Sequence, residues 1–136
     1  ALILDGRLDS AWSSAREQAP RMWLDVRLAR PLLVTRFELL AGSPPAPGKR
    51  LGVLVRDPAG LWRPVPTYDA RPPLAEQHPG REPSQVLLFA PLQPDTLRII
   101  QVGQAPRSWR IAELRVFVLA GRAAGRCGPL LGAGRP

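Results

Sequence analysis

Proline and glycine recur too closely along this chain for long helices to form. Its 136 residues include seventeen prolines and twelve glycines. Proline in a helix interior removes a hydrogen bond and clashes with the preceding turn, whereas short strands joined by many turns accommodate both residues. The expected class is therefore all-β. With 45% hydrophobic residues, a chain of this length suits one domain that removes roughly two-thirds of its unfolded surface from water.

Between the turn signals the hydrophobic residues alternate with a period of two, the pattern of half-buried strands. From Trp23 to Leu28, Leu24, Val26 and Leu28 share one face against Trp23, Asp25 and Arg27. From Leu33 to Leu40, Leu33, Phe37 and Leu39 are expected inward, with Arg36 and Glu38 toward water. Leu51 to Arg56 and Leu61 to Val65 flank Asp57-Pro58-Ala59-Gly60. Pro58 presets a turn dihedral there, Asp57 bonds its own backbone and Gly60 tolerates the exit geometry, so a hairpin is expected with Trp62 in the core. Val86 to Phe89, Thr96 to Val102 and Ile111 to Leu119 bring the count to about seven strands. Residues 67–84, rich in proline and charge, read as a long surface loop. The expected domain is 1–120, and 121–136 read as a disordered Gly/Ala/Arg/Pro tail or linker.

The net charge is +8, and Lys49 is the only lysine among nineteen basic residues. The arginines are spread from Arg7 to Arg135 rather than clustered with stacking aromatics, which argues against nucleic acid; anionic glycans and anionic lipid headgroups stay open as partners. One histidine and one cysteine, Cys127 in the tail, leave few ways to build an acid–base pair or a nucleophile. Neither a phosphate-cradling glycine loop nor a zinc-ligand spacing occurs. A non-catalytic role follows. No stretch approaches the ~20 apolar residues of a membrane span. Because the chain opens on what reads as mid-domain sequence, it is expected to be a piece of a larger parent chain.

Four ordered blocks resemble the discoidin (coagulation factor 5/8 type C) family, which includes bacterial carbohydrate-binding modules. The first is Leu4-Asp5-Gly6-Arg7-Leu8-Asp9-Ser10-Ala11-Trp12-Ser13-Ser14, and the second runs from Gln18 through Pro20 and Trp23 to Leu28. The third joins Val34 to Leu39, Gly42 to Pro44, Val53 to Val55 and Trp62. The fourth, which is the most specific, is Arg98 to Gly103 followed by Trp109 to Phe117. The resemblance implies a discoidin-like jelly-roll β-sandwich of about 7–8 antiparallel strands whose binding loops gather at one end. It also implies a non-catalytic module that binds an oligosaccharide or polysaccharide, appended to a glycan-processing or membrane-associated protein outside the cytoplasm.

On those loops, Gln18, Lys49, Arg50, Arg107 and Trp109 are the candidate sugar-binding residues. Planar polar groups bond adjacent hydroxyls in pairs and aromatic faces cover C–H patches. Where relatives often carry Asp-Tyr-Pro-Arg, this chain has Ala46-Pro47-Gly48-Lys49. A second candidate site is His78 with Glu76 and Arg81. The resemblance further implies a structural Ca²⁺, a hard cation needing about six or more oxygens. Asp5, Ser10 and Glu113 match its side-chain positions, with Arg7 and Trp12 where backbone carbonyls contribute. The alternative function is a membrane-surface or protein-adhesion domain, with Met22 and Leu74 as apolar loop tips, or a structural spacer without a ligand.

Overall fold

The fold is described from a computed structural model covering residues 11–41, 47–70 and 85–119, with the backbone of 131–134. Among these residues the chain is built of eleven strands and their turns. They are β1 (Trp12–Gln18), β2 (Trp23–Leu28), β3 (Val34–Leu40), β4 (Leu51–Arg56), β5 (Trp62–Val65), β6 (Thr67–Ala70), β7 (Gln85–Leu92), β8 (Thr96–Gln101), β9 (Ala105–Ile111), β10 (Glu113–Val118) and β11 (Leu131–Gly134). Two antiparallel sheets, ordered β10-β3-β7-β6 and β11-β2-β8-β4-β5, pack as a jelly-roll sandwich. A separate ribbon of β1 and β9 completes it. Because β9 follows β8 of one sheet and leads into β10 of the other, this ribbon bridges the sheets across one end.

The alternation seen in the sequence places the core. Leu24, Val26 and Leu28 meet Val53, Leu97 and Ile99 on the inner face of the five-stranded sheet, and Phe37, Leu39, Leu87, Phe89 and Leu114 line the other sheet. Burying each such side chain contributes about 1.5–3 kcal/mol. In β3 the inward phase starts at Val34 rather than Leu33, because the pairing with β7 is irregular between Val34 and Arg36. The Asp57 to Gly60 turn forms as expected. Gly60 N–H bonds the Asp57 carbonyl at 2.8 Å, Leu61 N–H bonds Asp57 Oδ1 at 2.8 Å, and Gly60 sits at φ +83°.

The structure departs from the sequence expectations in several places. The segment Ile111 to Leu119 is two strands, broken at Ala112, whose N–H turns to the Leu40 carbonyl at 2.7 Å. β1 and β9 are strands where loops were expected, and β6 extends pairing into the start of the proline-rich stretch by joining β7. Leu131–Gly134, within the segment read as disordered, pairs with β2 from Leu28 to Asp25. A free strand edge accepts a short segment through backbone bonds whatever its side chains, which is why composition hid this strand. Trp62 is not in the core. It lies opposite Arg56 in the hairpin, a position of outward parity, and is half-buried on the outer face.

Candidate functional site

Three inter-strand segments meet beside the β1/β9 ribbon: 19–22 before β2, 47–50 before β4 and 102–104 after β8. Backbone bonds join them. Arg21 N–H donates to the Gln101 carbonyl at 2.9 Å, Val102 N–H to the Arg50 carbonyl at 2.7 Å and Gly103 N–H to the Lys49 carbonyl at 2.8 Å. The approach at Gly103 is so close that a Cβ there would collide with the Lys49 carbonyl oxygen. Gln18 at the end of β1 pairs with Ala105 at the start of β9, which places Arg107 on the same end.

Three buried glutamines hold this end together. Gln18 Nε2 donates to the Pro47 carbonyl at 2.9 Å, Gln85 Nε2 to the Gly48 carbonyl at 2.9 Å, and Gln101 Nε2 to Gln18 Oε1 at 2.7 Å. In return Gly48 N–H bonds Gln85 Oε1 at 3.1 Å, and Lys49 N–H reaches both Gln18 Oε1 at 2.8 Å and Gln101 Oε1 at 3.1 Å. A buried amide left unbonded costs about 1–3 kcal/mol, so a mutually satisfied cluster fixes one arrangement of the 47–49 backbone.

Beside these segments β1 bulges. Between the pairs Ser13 with Arg110 and Glu17 with Ser108, the residues Ser14, Ala15 and Arg16 lie opposite Trp109 alone. Ala15 takes φ 57°, its N–H bonds Ser13 Oγ at 3.2 Å, and Ser14 Oγ accepts the Trp109 N–H at 3.0 Å while donating to the Arg16 carbonyl at 2.8 Å. The bulge opens a groove of about 290 Å³ lined by Trp12, Ser14, Arg16, Met22 and Trp23. Trp12 and Trp23 are half-buried, and Arg16 is exposed at the rim. Two indole surfaces beside a guanidinium offer apolar contact with a few polar anchors, the makeup of a small-molecule site.

The five residues expected to bind sugar therefore divide. Lys49, Arg50 and Arg107 are exposed and share the end described. Burial removes the other two. Trp109 is 0% exposed and meets Trp12 edge to face, with centroids 5.5 Å apart, so its ring plugs the core under the ribbon. Gln18 is 3% exposed and its amide is committed to the glutamine cluster. Sequence reasoning missed Arg16 and Trp23, because Arg16 lies in the β1 bulge and Trp23 at the start of β2, and only the tertiary structure sets them beside one groove. Met22, expected as an exposed apolar tip, is 7% exposed, and its Sδ accepts the Ala19 N–H at 3.2 Å.

Of the expected calcium ligands, Asp5, Arg7 and Ser10 lie outside the described residues, as do His78, Glu76, Arg81 and Leu74. The remaining two are near one another: Trp12 pairs with Ile111, two positions before Glu113. No group of three or more His, Cys, Asp or Glu gathers among the described residues.

Similarity to solved structures bears on the fold. A carbohydrate-binding module, CBM32-3, from a family 31 glycoside hydrolase of Clostridium perfringens superposes with a TM-score of 0.60 at 16% identity, covering 85% of this chain and 79% of that one. A pectin-binding carbohydrate-binding module superposes with a TM-score of 0.58 at 16% identity, covering 88% and 80%. The chain shares the jelly-roll β-sandwich fold with these two modules. In sequence alone, the chain matches no protein-family profile and no curated protein.

Proposed function

We propose that this chain is a non-catalytic carbohydrate-binding module of the discoidin kind. The observation that carries the reading is the groove of Trp12, Met22 and Trp23 rimmed by Arg16, beside an end whose backbone is locked by buried glutamines. A pre-formed groove loses little entropy on binding, which matters for a ligand as hydrated as a sugar. The two structural neighbours, both carbohydrate-binding modules, support the reading through their fold. It extends to a module appended to a larger glycan-processing or membrane-associated protein and acting outside the cytoplasm. The adhesion alternative is weakened by the burial of Met22, one of its two proposed apolar tips.

Selective retention on a glycan array tests the reading. Arg16→Ala, an exposed substitution, should weaken that retention about tenfold or more, as loss of a charge-assisted hydrogen bond implies, without lowering the melting temperature. Retention of no glycan would overturn the proposal. Calcium remains part of it, with Asp5, Ser10 and Glu113 as side-chain donors and Arg7 and Trp12 as carbonyl donors. Such an ion would tie the amino-terminal segment to the start of β10. Chelator should then lower the melting temperature and added calcium restore it; a temperature unmoved by both removes the ion from the account.

A further inference from the structure

Cations are unevenly balanced among the described residues. On the two outer sheet faces and the far hairpin four arginines have acids, Arg98 with Asp25, Arg36 and Arg115 with Glu38, and Arg63 with Asp57, while Arg27 and Arg56 stand exposed there without one. The end built from 16–21, 47–50 and 102–107 is different. It carries Arg16, Arg21, Lys49, Arg50 and Arg107 against the single acid Glu17, five cations to one anion and hence a local charge of +4. All five cations are exposed, and none forms an ion pair among the described residues. Two of them, Arg21 at φ 72° and Arg50 at φ 54°, hold a left-handed backbone that favours glycine.

Like charges gathered without counter-charges repel, and the repulsion is relieved by an anion from outside. We propose that this end takes the carboxylates of an acidic, uronate-bearing polysaccharide, with the sugar ring against the Trp12 and Trp23 groove. The inference rests on the carbohydrate-binding reading and adds the ligand class to it. Four of the five cations are arginine, whose planar fork matches a carboxylate in two parallel bonds. Their spread over two inter-strand segments, the β1 bulge and the start of β9 suits a polymer with charges at intervals. A membrane surface fits less well, because Met22 is buried and Val102 is the only large apolar residue exposed in these segments. Nucleic acid fits less well too, since the two tryptophans line one groove and do not alternate with the cations as a run of stacking platforms.

Affinity electrophoresis of the whole chain tests it, in gels containing polygalacturonate, fully methyl-esterified polygalacturonate or neutral galactan. Anionic vesicles and single-stranded DNA serve as further arms. The expected result is retardation by polygalacturonate, at least tenfold weaker on the ester and falling steeply with salt. Lys49→Gln combined with Arg107→Gln should weaken polygalacturonate binding a further tenfold or more without lowering the melting temperature. Equal or tighter binding to the ester or the galactan overturns the ligand class and leaves the carbohydrate reading standing. Retention by no glycan, or by vesicles or DNA alone, overturns both.

Discussion

Arg98 and the cations of the loop end receive opposite treatment from the same fold. Arg98, on the outer face of β8, donates two bonds to Asp25, Nε to Oδ1 at 2.6 Å and a terminal nitrogen to Oδ2 at 2.9 Å. Its guanidinium also lies 4.0 Å from the Trp62 ring centroid and 4.7 Å from that of Trp23. The two side chains of the pair are only 19% and 14% exposed. Both the planar fork and the ring-facing surface of this arginine are thereby used inside the protein. Arg21, Lys49, Arg50 and Arg107 have none of these partners, although the backbone carrying three of them is fixed by hydrogen bonds. Rigid main chain under unpaired charge is a poor way to stabilise a fold and a good way to present a surface.

Stability measurements on substituted chains can break this contrast. The largest effect is expected at the paired arginine, where Arg98→Ala leaves Asp25 half-buried and uncompensated and should cost about 3 kcal/mol in urea denaturation. Arg98→Lys should recover only part of that, for want of the fork. If Arg107→Ala costs as much, the contrast is wrong. Next comes the lock beneath the loop end. Gln101→Leu strips an acceptor from Lys49 N–H and a donor from Gln18 Oε1, for about 2 kcal/mol. Amide exchange at Lys49 should accelerate at the same time.

Smaller effects sharpen the point. Arg50→Gly relieves a left-handed arginine, so it should leave stability unchanged or raise it by up to about 1 kcal/mol while weakening binding of acidic polysaccharide. A loss of stability instead would mean that the side chain serves the fold. The smallest effect belongs to Asp57 at the far hairpin. The Leu61 N–H above all, then Arg63, hold its carboxyl below the ordinary carboxylate value. Its contribution is present above the unfolded value and lost as pH falls through the lower folded one. Asp57→Asn should therefore flatten a slight acid-side decline in melting temperature.

Legibility followed the range of the interaction concerned. The inward face of β2 was readable because burial alternates within the strand, and the Asp57 to Gly60 turn was readable because its bonds span a few residues. Trp62 was also within reach: once the turn fixes its partner as Arg56, parity sends it outward, against what its hydrophobicity suggests. Trp109 was misplaced for a related reason. Its segment was read as a loop, whereas pairing with β1 makes it a strand in which Trp109 and Ile111 alternate inward.

The sequence by itself determined an all-β sandwich, the phase of β2 and of β3 from Phe37 onward, and the excess of arginine. Only the tertiary structure decided that Gln18, Gln85 and Gln101 are a buried lock rather than surface polar groups, since each is satisfied by backbone or amides 29 to 83 positions away. It also decided which arginines are neutralised, because pairing depends on cross-strand register and dispersed charges become a cluster only when three separated segments are bonded side by side.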